Sequence, residues 1–371
     1  MSKKIVICVN TSWNIYNFRL NLARAIQKAG YEVVLVAPYD RYSEILKQEF
    51  EYYDIYINNK GTNPKEDFKT LIEFYKLYKK IKPDIVLNYT IKPNIYGNIA
   101  CKILGIKTIN NISGLGTVFI NENIITKIVK AMYRFSLKSS SKVFFQNQDD
   151  QKLFLKHKLV LKNSCDVLAG SGVDIDKFSP IKYEKRDDMF RFLLIARVLW
   201  DKGIGEYVEA AKELNKKYNK IEFQILGSLD AVNKTAVSKE QMKNWVDEKL
   251  INYLGTSDNI QKIIKQADCV VLPSYREGTP RSLLEASSMA KPIITTNTVG
   301  CKDVVDDGIN GFLCEVKNSQ DLADKMERIL NLSQDQREAM GQAGRAKIIR
   351  EYDEKIVINK YLNAIKEILG A

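Results

Sequence analysis

Two glutamates that flank a proline form the segment of the sequence with the clearest chemical potential. Glu277 and Glu285 lie on either side of Pro280, directly after the apolar run Cys269–Pro273. Pro280 suits the first turn of a helix, because it has no amide hydrogen to leave unbonded there. A helix N-terminus attracts phosphate, and carboxylates accept hydrogen bonds from hydroxyls. The segment therefore predicts a site for a diphosphate that carries sugar hydroxyls, with a solvated helix start as the alternative interpretation.

A basic pair forms the second candidate. Arg197 and Lys202 follow the apolar run RFLLIA. At the carboxyl edge of a parallel sheet, Arg would offer a planar fork of donors and Lys a point charge. Together they would neutralise a departing diphosphate without a metal ion. A basic surface pair without a functional role is the alternative.

The residue inventory excludes several other chemistries. The chain has one histidine, His157, and six cysteines with no C-x-x-C spacing. A zinc site, a disulfide framework and a Ser-His-Asp triad are therefore not expected, and His157 should be a surface residue without a catalytic role. The D-x-D of Asp174 and Asp176 follows two glycines in a linker-like segment, so we do not expect a metal there. No metal and no cofactor are predicted.

Alternating strands and helices must position these residues. In the first half, strand patterns are separated by helical patterns such as Phe18–Lys28 and Asp67–Lys80. The first series of strands is KIVICV, EVVLVA, YYDIYI, DIVLN, KTINNI and KVFFQ, and the second is RFLLIA, IEFQIL, INYLG, DCVVLP, PIITT and GFLC. Such alternation predicts two α/β domains, each a doubly wound parallel sheet of the Rossmann-like kind.

The domain boundary should lie in the segment 170–189, which is rich in Gly, Pro and mixed charge. We place an N-terminal domain at residues 1–172 and a C-terminal domain at 173–371. The tail from Ser333 to Ile368 should be helical, and it either covers the second domain or crosses back to the first. No apolar run is long enough to span a membrane, and no signal segment is visible, so we expect a cytoplasmic protein.

Positive charge is concentrated in the first half. Residues 1–150 hold 22 Lys/Arg against 13 Asp/Glu, within a formal net charge of +12. In a predicted amphipathic helix over 121–139, the basic residues that share one face are Lys127, Lys130, Arg134 and Lys138. The apolar residues expected on another face are Ile124, Ile125, Ile128, Val129 and Met132. The basic face is suited to an anionic membrane surface, and an ordinary solvated face is the alternative.

With these motifs in place, the sequence resembles the family 4 glycosyltransferases over essentially its whole length. The matching features are the two glutamates, the basic pair, Gly172-Val173-Asp174 and the stretch Thr298–Gly311. The resemblance implies the GT-B fold, in which two Rossmann-like domains face each other across a cleft. It also implies transfer of a sugar with retention of configuration, a catalytic set of Glu277, Arg197 and Lys202, and a ribose held by Glu285.

The resemblance also implies further contacts to the donor. The residues expected to bind the nucleotide sugar beside Glu285 are Gly278, Thr279, Pro280, Arg281, Ser282, Gly114 and Gly116. The last two would allow close approach, since a backbone without side chains leaves room for the donor. A plain tight turn at those glycines is the alternative.

Departures from the family pattern narrow the resemblance. A bulky loop, Asn10–Arg19, replaces the usual Gly-Gly pair after the first strand, and Ser113 stands where many members have a histidine. The sequence is similar to the bacterial N-acetylgalactosaminyltransferases that extend undecaprenyl-diphosphate-linked sugars. This implies a UDP-sugar donor, a polyprenyl-diphosphate-linked glycan as acceptor, and a peripheral position on the inner face of the cytoplasmic membrane. Arg19, Lys92 and Ser113 are candidates to contact the acceptor.

Three other functions are compatible with parts of the sequence. Net charge suggests a nucleic-acid-binding protein, but the sequence has no zinc finger, RNA-binding signature or basic tail, so we expect no nucleic-acid partner. Two Rossmann-like units suit a nicotinamide-dependent dehydrogenase, although no G-x-G-x-x-G follows the first strand. A sugar-nucleotide epimerase with the GT-B fold would need the donor alone.

Overall fold

The structure, a computed structural model, describes residues 2–58, 63–115, 124–182, 187–229, 233 and 235–370, apart from the side chains of 124 and 125. The chain divides into two compact units. The first contains residues 1–171 and 356–371, and the second contains residues 172–355. The last helix of the chain therefore packs mainly in the first unit. Among the residues described, no helix is both long and apolar enough to cross a lipid bilayer.

The first unit is built on a parallel sheet of seven strands. The strands are β1 (Lys4–Cys8), β2 (Glu32–Ala37), β3 (Glu51–Asp54), β4 (Ile85–Tyr89), β5 (Lys107–Ile112), β6 (Lys142–Phe145) and β7 (Cys165–Val167). Their order is β3-β2-β1-β4-β5-β6-β7, and every pair is parallel. The sequence did not predict β7, because three half-buried residues are too few to show a period.

Helices cover the two faces of this sheet. They are α1 (Ser12–Phe18), α2 (Leu20–Lys28), α3 (Ser43–Lys47), α4 (Pro64–Ile81), α5 (Asn98–Leu104), α6 (Ile124–Leu137) and α7 (Gln148–Lys156), with a π-helical turn at Pro93–Gly97. Ile5 and Ile7 pack on a face that the C-terminal helix covers with Tyr361. Phe74 and Tyr78 of α4 belong to the core on the opposite face. Fully buried strands of this kind appear in the sequence as continuous apolar runs.

The second unit repeats this plan with six strands. They are β8 (Phe190–Ile195), β9 (Ile221–Leu226), β10 (Asn252–Tyr253), β11 (Cys269–Leu272), β12 (Ile293–Thr296) and β13 (Gly311–Cys314), in the order β10-β9-β8-β11-β12-β13. The helices of this unit are α8 (Ile204–Asn215), α9 (Lys239–Asp247), α10 (Ile260–Ile264), α11 (Arg281–Ser288), α12 (Ser319–Leu330) and α13 (Gln334–Glu351), whereas the last helix, α14 (Glu354–Leu369), belongs mainly to the first unit. Every paired strand is parallel. The predicted fold class of two doubly wound α/β units is confirmed.

Each sheet has one point at which the strand order reverses. It lies between β1 and β4 in the first unit and between β8 and β11 in the second. In open α/β sheets, ligands bind beyond the carboxyl ends of the strands at this point. In the second unit, the loop after β8 carries Arg197 and the loop after β11 carries Glu277. Two residues 80 positions apart in the sequence are thereby brought to one edge.

Candidate active site

The loop that carries Glu277 is held by a second loop, which follows β12. The amide of Glu277 donates to the Val299 carbonyl at 3.1 Å, and the Thr298 hydroxyl donates to the Tyr275 carbonyl at 3.1 Å. Gly300 has a φ of +78°, and a Cβ there would lie 2.4 Å from the carbonyl oxygen of Glu277. Only glycine allows so close an approach, so the backbone of Glu277 has a fixed position.

Lys202 reaches Glu277 from the loop after β8. It ends a short 3-10 turn, Trp200–Lys202, and its ammonium donates to Oε1 of Glu277. The two side chains are 16% and 17% exposed, so water screens this ion pair only partly. The amide of Tyr275 also donates to the Asp201 carbonyl at 2.9 Å, which ties the two loops together beside the pair.

Arg197 lies at the same edge of the sheet, but the surroundings of its side chain differ from those of Lys202. Its side chain is exposed, and it makes no hydrogen bond or ion pair with any residue that the structure describes. The two cations predicted to hold a diphosphate are therefore not equivalent, because Lys202 is paired and Arg197 is available. An anionic ligand would gain most from Arg197, since none of the described residues competes for that charge.

Helix α11 begins one residue later than the sequence predicted. Pro280 is the residue before the first turn rather than a member of it, because its ψ of 106° is extended and its carbonyl already accepts from the Leu283 amide at 3.1 Å. The expectation that the helix starts at Pro280 was wrong by that residue. The first amides of such a helix have no carbonyl partner within it, and the helix dipole is positive there.

Glu285 lies in the second turn of α11 and is buried. Its residue is only 8% exposed, and Nε of Arg281 donates to its Oε1 at 2.9 Å. Burial raises the pKa of Glu285, while the charges of Arg281 and Lys177 lower it. The opposing effects leave a carboxylate that depends on its cationic neighbours to stay ionised.

In the first unit, the residues predicted to contact the acceptor differ in the partners that they have. Arg19 is 5% exposed, its guanidinium carbon lies 4.3 Å from the centre of the Tyr89 ring, and it has no carboxylate partner among the residues described. Its Nη1 donates to the Phe18 carbonyl at 3.0 Å, whereas its Nε has no hydrogen-bond partner among the described residues. Lys92, in contrast, is paired with Asp67 at 2.6 Å, and both side chains are largely buried.

Ser113 and Gly114 follow β5. The Ser113 hydroxyl donates to Oδ1 of Asn111 at 2.8 Å, and Gly114 has a φ of +116° that favours glycine. Gly116 lies outside the described residues. At the end of β4, Thr90 has a φ of +66°, which is rare for a β-branched residue and often occurs at functional sites. No pattern in the sequence predicts this conformation.

The remaining candidates have local roles. Oδ1 of Asp174 accepts from the amide of Lys177 at 2.8 Å, and Asp176 pairs with Lys355 at 3.2 Å. His157 follows the last turn of α7, with Nε2 3.5 Å from the ammonium of Lys130. All six cysteines are free thiols, and all but one are buried.

The basic helix α6 differs from the prediction on one face. Ile128 was expected in the core, yet it is 54% exposed, and Phe135 beside it is 57% exposed. Val129 and Tyr133 point into the core instead. The exposed face of α6 therefore combines apolar and basic side chains, because the core stripe of this helix is narrower than the sequence suggested.

Comparison with known proteins shows the family to which the chain belongs. The profile of the family described as Glycosyl transferases group 1 matches residues 176–347, and that of Glycosyl transferase 4-like matches residues 4–147. An Escherichia coli protein named UDP-Gal:alpha-D-GlcNAc-diphosphoundecaprenol alpha-1,3-galactosyltransferase is 30% identical over 281 residues, covering 71% of this chain and 70% of that protein. The chain belongs to the family 4 glycosyltransferases.

Other relatives cover this glycosyltransferase more completely. A Campylobacter jejuni protein named N,N'-diacetylbacillosaminyl-diphospho-undecaprenol alpha-1,3-N-acetylgalactosaminyltransferase is 27% identical over 374 residues, which is 96% of each chain. The solved structure of a Rickettsia africae glycosyltransferase has a TM-score of 0.80 at 20% identity, covering 99% of each chain. That of HepE from Anabaena with UDP and glucose has a TM-score of 0.79 at 16% identity, covering 98% of this chain and all of the other. These two structures show the GT-B fold.

Sequence reasoning about the glycosyltransferase missed two glycines that hold its site. Gly203 has a φ of +73°, and a Cβ there would lie 2.1 Å from the Pro273 carbonyl oxygen, so it keeps the Lys202 turn against the end of β11. Gly300 does the same for the Glu277 loop. A glycine that follows a strand is the signal available in the sequence, but it does not reveal which backbone lies opposite.

Proposed function

We propose that this glycosyltransferase transfers a sugar, N-acetylgalactosamine or another hexosamine, from a UDP-sugar to a polyprenyl-diphosphate-linked sugar, with retention of configuration. The observation that carries the donor half is the convergence of Lys202, Glu277 and Arg197, which has no ion-pair partner among the described residues, at the point where the strand order of the second unit reverses. Two cations beside a helix N-terminus suit a diphosphate, and two carboxylates suit the hydroxyls of its sugar and ribose.

The chemistry needs no protein nucleophile and no metal ion in this proposal. The bond from the anomeric carbon to the diphosphate oxygen breaks, and a bond from the acceptor oxygen forms on the same face of the sugar. The acceptor proton passes to the departing diphosphate. Arg197 and Lys202 stabilise the negative charge that develops on that group, and Glu277 orients the sugar while Glu285 holds the ribose.

The acceptor half of the proposal rests on the first unit. Arg19 is a buried cation without a carboxylate partner among the described residues, whereas Lys92 is already neutralised by Asp67. A buried charge is stable only with a compensating partner, so an anionic group of the substrate would stabilise Arg19. We assign Arg19 rather than Lys92 to the acceptor diphosphate, with Ser113 as a neighbouring polar contact.

A membrane position follows from the acceptor and from α6. The exposed side chains of Ile128 and Phe135 lie on one face with Lys127, Arg134 and Lys138, and no acidic residue occurs from 123 to 148. Apolar side chains between basic ones suit the boundary between anionic head groups and acyl chains. The enzyme would then act at the inner face of the cytoplasmic membrane, where its lipid-linked acceptor lies.

The names of two relatives support the choice of substrates. Both the Campylobacter jejuni and the Escherichia coli proteins are named for acceptors linked through a diphosphate to undecaprenol. One is named for N-acetylgalactosamine transfer and the other for a UDP-galactose donor.

The decisive experiment offers a panel of UDP-sugars with and without a sugar-diphosphate-polyprenol acceptor and measures lipid-linked product. We expect product only when both substrates are present, and activity unchanged by EDTA. Because configuration is retained, the new glycosidic bond should be axial when the bond from sugar to diphosphate in the donor is axial. Conversion of the donor without acceptor would identify an epimerase instead. No product with any donor on lipid-diphosphate acceptors would refute the acceptor assignment.

The membrane assignment has a separate test in vesicle flotation. Wild-type protein should float with vesicles that contain anionic lipid, and the double variant Ile128→Ser/Phe135→Ser should not. Ile309→Ser is the control, because Ile309 is a similarly exposed isoleucine (63%) of the second unit. Equal flotation of all three proteins would contradict a role for α6.

A further inference from the structure

Arg281 holds the buried carboxylate of Glu285 from one turn earlier on the same helix. The Nε-to-Oε1 distance is 2.9 Å, and the two side chains are only 14% and 11% exposed. Because a buried carboxylate without a partner tends to take up a proton, this contact keeps Glu285 in its charged form. Each carboxylate oxygen has more than one lone pair, so Glu285 can still accept hydrogen bonds from a ligand.

A second hydrogen bond fixes the guanidinium itself. Nη1 of Arg281 donates to the Gly172 carbonyl at 2.6 Å, 109 residues away in the sequence. The planar guanidinium thus spans two acceptors, the carboxylate of its own helix and a main-chain oxygen of another segment. A lysine in its place would have one nitrogen and could not reproduce this fork.

The Gly172 carbonyl is in turn fixed by a tight crossing of two chain segments. The Val173 amide donates to the Tyr352 carbonyl at 2.8 Å, and the Glu354 amide donates to the Val173 carbonyl at 3.0 Å. Gly172 has a φ of +67°, and a Cβ there would lie 2.4 Å from Cα of Glu354. The anchor for Arg281 is therefore rigid backbone.

We infer that Arg281 is a positioning residue of the donor site, which acts on the nucleotide through Glu285. It presents the Glu285 carboxylate, charged and correctly oriented, to the ribose hydroxyls, with the Gly172 carbonyl as its fixed support. This inference rests on the proposed function, which places the ribose at Glu285. It assigns Arg281 a different task from the diphosphate cations Arg197 and Lys202.

The test compares two ligands, UDP and 2′,3′-dideoxy-UDP, which lacks both ribose hydroxyls, by calorimetry on the full-length protein. Wild-type protein should bind UDP about 10- to 100-fold more tightly than the dideoxy ligand, as expected for hydrogen bonds to a charged group. Arg281→Met should lose most of this preference while its affinity for the dideoxy ligand stays the same. Arg281→Lys should regain part of the preference.

Two further variants separate positioning from general stability. Glu285→Gln should lose the preference by itself, and adding Arg281→Met to it should cause little further loss, because both act on one contact. Arg345→Met is the matched control, since Arg345 also donates to main-chain carbonyls, at Ser288 and Phe178 near the other end of α11. It should keep the full preference for UDP.

The possible results distinguish the inference from the proposed function. If wild-type protein binds no UDP, the proposed donor site is wrong. If wild-type protein prefers UDP and Arg281→Met prefers it equally, the donor site stands and the role of Arg281 is refuted. The same conclusion follows if Arg281→Met weakens both ligands equally, since that is the result of general damage. If Arg281→Met does not fold, the preference of Arg281→Lys for UDP over the dideoxy ligand decides in the same way.

Discussion

Gly203 allows the positioning of Lys202 to be tested without removing any charged group. It follows Lys202 directly and lies against the end of β11, where a Cβ would be 2.1 Å from the Pro273 carbonyl oxygen and 2.7 Å from its carbon. Ordinary van der Waals contact begins at 3.4 Å, about 1.3 Å more than the shorter of these distances. Because the Tyr275 amide also bonds to the Asp201 carbonyl, the turn cannot move without disturbing the loop of Glu277.

The substitution Gly203→Ala should therefore reduce both activity and stability. A displacement of about 1 Å at a catalytic group can lower turnover on the order of 100-fold. The left-handed φ of +73° adds about 1 kcal/mol of strain for alanine, and overpacking adds about 1–3 kcal/mol. For a unit of this size, the melting temperature should fall by roughly 2–4 °C for each kcal/mol.

Gly308→Ala is the matched control for this experiment. Gly308 has a φ of +77°, close to that of Gly203, but a Cβ there would meet nothing within 4 Å. It should lose only the strain of about 1 kcal/mol and keep near wild-type turnover. The assays are kcat/KM with saturating acceptor and thermal unfolding of both variants. If Gly203→Ala turns over within threefold of Gly308→Ala, the argument that backbone contact positions Lys202 is refuted.

Two further predictions concern the charged groups of the donor site. Arg197→Ala and Lys202→Ala should each lower turnover at saturating donor by about 10²- to 10³-fold, as expected for the loss of one preorganised electrostatic group. Near wild-type turnover in both variants would contradict their assignment to the diphosphate. Burial raises the pKa of Glu285 above 4.5, although Arg281 and Lys177 oppose it. Glu285 therefore takes up its proton at a higher pH than usual, so UDP affinity should fall as the pH drops through that raised pKa. The UDP affinity of Glu285→Gln should not change with pH in that range. If it falls with pH as steeply as that of the wild-type protein, another group is responsible.

Several features of the fold could be predicted from the sequence, because they depend on local patterns. The strands appear as apolar runs such as Ile5–Cys8, since a sheet covered on both faces buries every position. The strand β7 escaped prediction because it is short and only half-buried. The predicted helix Phe18–Lys28 corresponds to α2, which begins at Leu20, and a break at Arg19, whose φ of −130° is non-helical, separates it from α1. Tertiary packing of Arg19 against Tyr89 accompanies this break, and no periodicity encodes it.

The composition and motif spacing of the sequence by themselves determined the two-unit α/β architecture, the family and the two pairs of charged residues. These follow from neighbours in the chain, because a strand, its loop and its helix are continuous. Only the tertiary structure decided how the charges pair. Lys202 meets Glu277 across 75 residues, and Arg281 finds the Gly172 carbonyl across 109. Such contacts depend on how the chain folds, which brings distant loops together. No local pattern could therefore reveal that, of the basic pair, only Lys202 forms an ion pair within the part of the chain that the structure describes.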